Sequence, residues 1–214
     1  MSRVTKKVLK IFCEGDTEYN YFSSFKQKNK LSLAIRPVNM HGGGYKNFLK
    51  ELRTDANNNC LAKFIVVDGD RANFESENLY ELIEYCVVQN KSGRIPHILI
   101  IDNPDFEYVA CLHSPKYKGN DYKKFLVKEF GYKEISDFKS DEKVFERLNS
   151  KDNSYSFLLK NINKSKTVII NHITVKKSLF QIIVESRINK DNLEKRGTNI
   201  NDLFDVLVKL GEQV

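Results

Sequence analysis

The sequence predicts an α/β fold in which a largely parallel, four-stranded sheet carries helices on both faces and is followed by a basic, mainly helical region. Three observations lead there. Short apolar runs at Val8–Cys13, Ala34–Asn39, Ala62–Val67 and His97–Ile101 alternate with stretches of helical apolar spacing, the order produced by parallel strands joined through crossover helices. The first, third and fourth of these runs end in acidic residues beside Gly or Pro. Beyond Pro115 the composition shifts: residues 116–214 hold 20 Lys and Arg against 14 Asp and Glu, whereas residues 1–115 hold 15 against 14.

The run Val8, Leu9, Ile11, Phe12, Cys13 suits a buried parallel strand, and Gly15 permits a sharp exit. Glu14 thus stands at a strand's carboxyl end, where open α/β sheets bind ligands; a terminal salt bridge is the plainer role open to it. Asp16 or Thr17 is expected to cap a helix with Tyr21, Phe22 and Phe25 facing inward. Glu18 lies about one turn after Glu14, either completing a site or favouring the positive helix end. Ala34–Asn39 contains Pro37, which belongs at an edge or a strand end. It feeds His41-Gly42-Gly43-Gly44, either a flexible turn or a loop whose bare amides attract phosphate at the start of a helix carrying Tyr45, Phe48, Leu49 and Leu52. Asp55–Asn59 ends that helix.

Ala62–Val67 is the clearest buried strand, β-branched and closed by Asp68-Gly69-Asp70. Two carboxylates one residue apart can turn toward one cation, and Mg²⁺, which keeps several waters, needs only two or three protein oxygens. An Asp-Gly hairpin turn is the alternative, but the chain leads on to a helix, Leu79–Val88, not to a partner strand. His97–Ile101 opens into Asp102-Asn103-Pro104-Asp105, where Asp102 and Asp105 read as capping or turn residues. Glu107 falls in the first turn of a helix running to His113, itself read as a packed histidine.

Short helices follow at Asp121–Phe130, ended by Gly131, at Asp141–Leu148 and at Tyr155–Ile162. Val168–Val175 fits a strand or a buried helix, Ser178–Ile188 reads as more helical, and Thr198–Leu210 as a closing helix. The composition divides the chain at about Pro115, into an α/β part, 1–115, and a basic part, 116–214. Lys116, Lys118, Lys123, Lys124, Lys176 and Lys177 either line a surface for a nucleic-acid backbone or form an ordinary solvated face.

At 214 residues and 41% hydrophobic content the chain can bury a proper core. No apolar run approaches the ~20 residues of a membrane helix, and the basic start leads into a run too short for a signal peptide, so a cytoplasmic protein without membrane contact is expected. Cys13, Cys60, Cys86 and Cys111 form no C-x-x-C pair, and the histidines are scattered, so carboxylates are the expected holders of any metal. The net charge of +7 favours a polyanionic partner.

The first ~115 residues, a usual size for one domain, resemble a Toprim domain, the α/β catalytic module of topoisomerases, primases and certain nucleases. More closely, CEGDTEYNYF at Cys13–Phe22, the Asp68-x-Asp70 pair and NPDFEYVACLH at Asn103–His113 resemble the RloB family of bacterial restriction-linked and abortive-infection loci, often encoded beside an ATPase. The resemblance implies a Mg²⁺- or Mn²⁺-dependent nuclease acting on DNA or RNA, tRNA included, with an ATPase partner. Glu14, Asp68 and Asp70 would be catalytic, and Glu14, Glu18, Asp68, Asp70 and Glu107 would hold the metal. A non-catalytic binding subunit of an ATPase complex is the alternative. The chain departs from the family in Tyr108, where many members have Trp, in Asp105, where they have a small residue, and in Ala72, which replaces the third aspartate of the fuller Toprim motif. The metal reading requires Glu14, Asp68, Asp70 and Glu107 to converge.

Overall fold

The structure, a computed structural model, describes residues 8–29, 31–55, 59–93, 95–119, 121–150 and 154–212. The basic start Met1–Lys7, the middle of the Asp55–Asn59 helix end and Arg94 in the loop before the fourth strand lie outside the described residues. Strands β1 (Val8–Cys13), β2 (Ala34–Asn39), β3 (Ala62–Asp68) and β4 (His97–Asp102) form one sheet in the order β2-β1-β3-β4. All three pairings are parallel.

Alternation along the strands sends side chains to two cores. Leu9, Ile11, Cys13, Phe64, Val66, Ile98 and Ile100 pack with Tyr21, Phe22 and Phe25 of α1 (Asp16–Lys28). Phe12, Ile65, Val67, Leu99 and Ile101 pack with α2 (Gly44–Thr54) and α3 (Ser76–Lys91) on the other face. Tyr21 and Phe22 are fully buried, and truncating an aromatic so placed to Ala costs roughly 3–5 kcal/mol, so they hold α1 against the sheet. The helix starts at Gly15 without a side-chain cap, so the capping expected of Asp16 or Thr17 is not made; Asp16 instead accepts from the Asn39 side-chain amide. From β1 the chain crosses through α1 to β2, then returns through α2 to β3 on the opposite side of β1. The strand order therefore reverses between β1 and β3.

Beyond β4 come α4 (Phe106–Cys111), α5 (Tyr122–Phe130), α6 (Ile135–Lys139), α7 (Val144–Leu148), α8 (Tyr155–Asn161) and α9 (Asn201–Leu210). Leu126, Phe138, Phe145, Leu148, Leu158, Leu203 and Phe204 join the core that holds α1, so the rear helices cover that face of the sheet. Within them stands an antiparallel hairpin, β5 (Ile169–Lys176) and β6 (Gln181–Ile188). This resolves Val168–Val175 as mostly strand and corrects the helical reading of Ser178–Ile188. Ile182 and Val184 are buried while Ile183 and Glu185 are exposed, a period of two that suits β-branched residues on a half-buried strand. The hairpin has a use in the fold. The Asn171 amide donates to the Leu99 carbonyl (3.0 Å), as does that of Asn199 (2.9 Å), whose own oxygen accepts from the Ile101 N–H (2.9 Å). Backbone groups on the open side of β4 are thereby satisfied, as an edge strand requires.

Candidate active site

The carboxyl ends of β1 and β3, at the reversal of strand order, are where an open α/β sheet binds its ligand. A cleft of about 340 Å³ opens there, lined by Glu14, Glu18, Asp68, Glu107, Ser136 and Lys139 among others. Larger clefts lie elsewhere: one of about 430 Å³ at the hairpin tip has no carboxylate, one of about 600 Å³ is lined by Glu51 and Asp55, and one of about 710 Å³ by Glu81; the smaller one is singled out by its cluster of buried acids with raised pKa values at the strand ends.

The exit from β1 does not require glycine, since Gly15 has an extended backbone that any residue adopts; Glu14 Oε2 accepts from the Asp68 N–H at 2.9 Å, tying the ends of the two strands together. Burial raises the Glu14 pKa, the Asp68 amide opposing and Asp70 adding to the rise. Asp68 Oδ1 accepts from the Phe106 N–H at 3.1 Å, and the Asp68 carbonyl accepts from the Tyr45 hydroxyl at 2.7 Å. Burial, then the charges of Glu18, Glu14, Asp102 and Glu107, push the Asp68 carboxyl well above its ordinary range. Glu18, on the first turn of α1, is 3% exposed. Burial lifts it to about 8, with Asp102, Glu14 and Glu107 adding to the rise. These acids resist ionising together because each desolvated charge raises the cost of the next.

Glu107 sits in the first turn of α4, its side chain 4% exposed, with Oε1 at 2.9 Å from Lys139 Nζ of α6. This ammonium is the partner of Oε1, and the contact raises the Lys139 pKa. Asp102, read from the sequence as a turn or cap residue, does neither. It closes β4 directly beside Asp68, is wholly buried, and accepts from the Thr198 hydroxyl. Its Oδ2 has no hydrogen-bond partner, and burial lifts it to about 7 against the pull of Thr198. Asp105 does cap α4, accepting from the Tyr108 N–H (3.1 Å), and it also meets Tyr122 (2.8 Å) and Lys123 (3.3 Å). It is fully engaged in structure. His113 is buried against the Tyr21 hydroxyl (3.2 Å) and held down to about 3 by burial, a packed histidine.

Of the acids singled out by sequence, Glu14, Glu18, Asp68 and Glu107 share the cleft; Asp70 is exposed and not among its lining residues. Convergence is therefore partial. Asp102, Thr198 and Lys139 were not anticipated. An Asp closing the apolar run HILIID, in register with the Asp that closes β3, was a readable signal for the first; nothing in the spacing placed Lys139 there. The lysines divide. Lys123 pairs with Asp105 next to α4, Lys116 with Glu129 (3.0 Å), Lys124 with Asp121 (3.3 Å), and Lys118 donates to the Pro115 carbonyl (3.2 Å). Lys176 and Lys177 stand at the hairpin tip, alongside Leu179 and Phe180, which line a cleft with Leu61 and Pro96 at the amino ends of β3 and β4. They are at the opposite end of the sheet from the acids. In the glycine loop Gly42, Gly43 and Gly44 all have positive φ, and Gly43 precedes α2 without a side-chain cap.

The donor set suits Mg²⁺ or Mn²⁺ in kind, since it is all oxygen, and the raised pKa values of Glu14, Glu18 and Asp68 mark a shortage of positive charge. Among the described residues, however, no three His, Cys, Asp or Glu side chains stand close enough together to hold a metal ion. No helix among them is long and apolar enough to cross a membrane.

A family model described as RloB-like protein matches residues 9–207. No curated protein and no solved structure matches the chain.

Proposed function

The chain belongs to the RloB-like family, and from that premise we propose that it is a divalent-metal-dependent nuclease, the effector of a bacterial anti-phage system of the abortive-infection type that works with an ATPase partner. Its substrate would be DNA or RNA, tRNA included. The observation that carries this reading is the gathering of Glu14, Glu18, Asp68 and Glu107 in one cleft at the reversal of strand order. Buried acids that oppose each other's ionisation are costly to the fold, and such arrangements concentrate at functional sites.

Bound Mg²⁺ or Mn²⁺ supplies charge neutralisation at the phosphate and a more acidic water. Its ligands would come from Glu14, Glu18, Asp68 and Glu107, which would have to draw closer together than they stand to share one ion. The rest falls to the chain's own groups. The Phe106 and Asp68 amides orient the carboxylates of Asp68 and Glu14, so little reorganisation is left for the moment of reaction. Glu14, partly exposed and with a raised pKa, is the group suited to carry a proton to or from the reacting oxygens. The basic face around Lys118, Lys123 and Lys124 would hold the phosphate backbone, an interaction that sets affinity and position, not base choice.

A second reading, a binding subunit within an ATPase complex that does no cleavage, is favoured by one observation: no three potential metal ligands stand within reach of one ion among the described residues. Labelled RNA and DNA incubated with the protein, with Mg²⁺ or Mn²⁺ and with EDTA, separate the two. Cleavage that needs the metal and is lost in Glu14→Gln and Asp68→Asn supports the nuclease. Cleavage that survives both substitutions sinks the site assignment, and binding without cleavage, even with the ATPase added, supports the second reading.

A further inference from the structure

Helix α2 divides its solvent face by charge. Lys46, Lys50 and Arg53 follow one another at intervals of four and three residues, which puts them on one side of the helix, and all three are exposed. Glu51 and the capping residue Asp55 line a separate cleft with Lys10. The basic side walls a groove of about 710 Å³ lined by Gly43, Lys46, Lys50, Arg53, Thr54 and Glu81 among others. Glu81 of α3 is the one acid among the described lining residues and pairs with Arg53 at 3.0 Å, so the charges of Lys46 and Lys50 are left in excess there. By contrast Lys116, Lys123 and Lys124 each face a carboxylate. The groove and the acid cleft meet at the glycine loop, where Gly42 lines the cleft and Gly43 the groove. The loop is anchored: the Gly42 N–H donates to the Glu14 carbonyl (2.7 Å), and the Gly42 carbonyl accepts from the Asn47 amide (2.9 Å). Because α2 starts without a side-chain cap, its amino end adds to the same positive field.

We propose that the Lys46, Lys50 and Arg53 side of α2 is a binding track for the phosphate backbone of a nucleic acid, leading across the glycine loop to the acid cleft. This rests on the nucleic-acid reading above and deepens it by giving the polymer a path; it requires no ion in the cleft. From Lys46 to Arg53 the helix rises about 10 Å, room for about three successive phosphates of one strand at ~3.4 Å each, so the row fits a polymer better than a single free anion. A cleft lined with carboxylates repels a phosphate backbone, and a row of cations beside it offsets that repulsion. Flexible ammonium groups carry charge without reading base edges, so the track supplies affinity and position, not sequence choice.

Fluorescence anisotropy of labelled DNA and RNA oligonucleotides, titrated with the full chain in EDTA, tests this without any metal. The double variant Lys46→Gln, Lys50→Gln should bind at least about tenfold more weakly at about 0.1 M salt, and the slope of log K against log salt should fall by about two. Its melting temperature should match the parent's, since both side chains are exposed. Affinity and slope equal to the parent's overturn the track while leaving the nuclease reading standing. Absence of oligonucleotide binding by the parent protein overturns both. Inorganic phosphate at constant ionic strength should compete poorly; full displacement of the oligonucleotide by millimolar phosphate would assign a free-anion site and overturn the backbone track. A further measurement needs no substitution: bound oligonucleotide should slow reductive methylation of Lys46 and Lys50, read by mass spectrometry, and leave Lys176 unchanged. Methylation of Lys46 and Lys50 at the same rate with and without oligonucleotide contradicts the track.

Discussion

Toward the amino end of the sheet, Lys10 of β1 and Lys63 of β3, both buried, meet a single carboxylate, Asp55, at 2.6 and 3.0 Å. At the carboxyl end, Glu14, Glu18, Asp68, Asp102 and Glu107 gather, and among the described residues lining their cleft the one cation is Lys139. The first group is compensated, and although partial burial works the other way, hydrogen bonds from Lys10 and Lys63 bring the Asp55 pKa below its ordinary value. The second is not, and the pKa values of its acids at positions 14, 18, 68 and 102 are all raised. Both groups draw on β1 and β3, through Lys10 and Lys63 at one end and Glu14 and Asp68 at the other. Buried charge that is paired holds a fold together only weakly but is costly to break, whereas buried charge left unpaired persists where chemistry needs it.

Substitutions at the two ends should therefore act with opposite signs. Glu14→Gln and Asp68→Asn are expected to reduce cleavage by about 10²–10³-fold, the scale for losing a preorganised group at a reacting centre, while the melting temperature of the metal-free protein holds or rises. Asp55→Asn should do the reverse, leaving two buried ammonium groups and costing about 3 kcal/mol in chemical denaturation, with activity per folded molecule unchanged. A fall in stability for both sets would break the comparison.

The acid cleft also predicts a pH dependence. Glu18 binds its proton up to about pH 8 when folded, against an ordinary value of 4.5. The folded state thus holds more protons than the unfolded one across that window, and stability must fall as pH rises through it. Metal-free protein should be most stable near pH 5 and lose stability toward pH 8, with a shallower curve for Glu18→Gln. Melting curves at half-unit steps check this. Smallest of all should be the effect of charge reversal at Lys176 and Lys177, which lie at the far end of the sheet: affinity for labelled nucleic acid should stay within about twofold. Reversal of Lys118 and Lys124, by comparison, should lower the salt dependence of binding by about one unit for each phosphate that is no longer neutralised.

The sheet was legible because a strand buried on both faces is a near-continuous apolar run, and its crossovers carry strong helical spacing. Glu14 and Asp68 were legible for the same reason, being the residues at which such runs stop. The hairpin was harder, since VIINHITV and SLFQIIVESRI mix both periods and Ile183 breaks the apolar face. Lys139 could not be read at all. It sits on a one-turn helix 32 residues after Glu107 in a lysine-rich region, and only the packing of Phe138 against the core of α1 delivers it to the cleft. Asp70 illustrates the converse, for a close sequence neighbour of Asp68 is turned outward by the tight turn in which the Ala72 N–H donates to the Gly69 carbonyl (3.0 Å).

The unpaired acids of the carboxyl end, on this reading, are kept for a divalent cation. Titration of Mn²⁺ at pH 7 in buffers of different ionisation enthalpy tests that most directly, because ligands must shed their protons to bind metal. Mn²⁺ should bind with release of protons, and both the binding and the release should disappear in Asp68→Asn. Mn²⁺ binding with no proton release and no response to Asp68→Asn, or no binding at all, would contradict it.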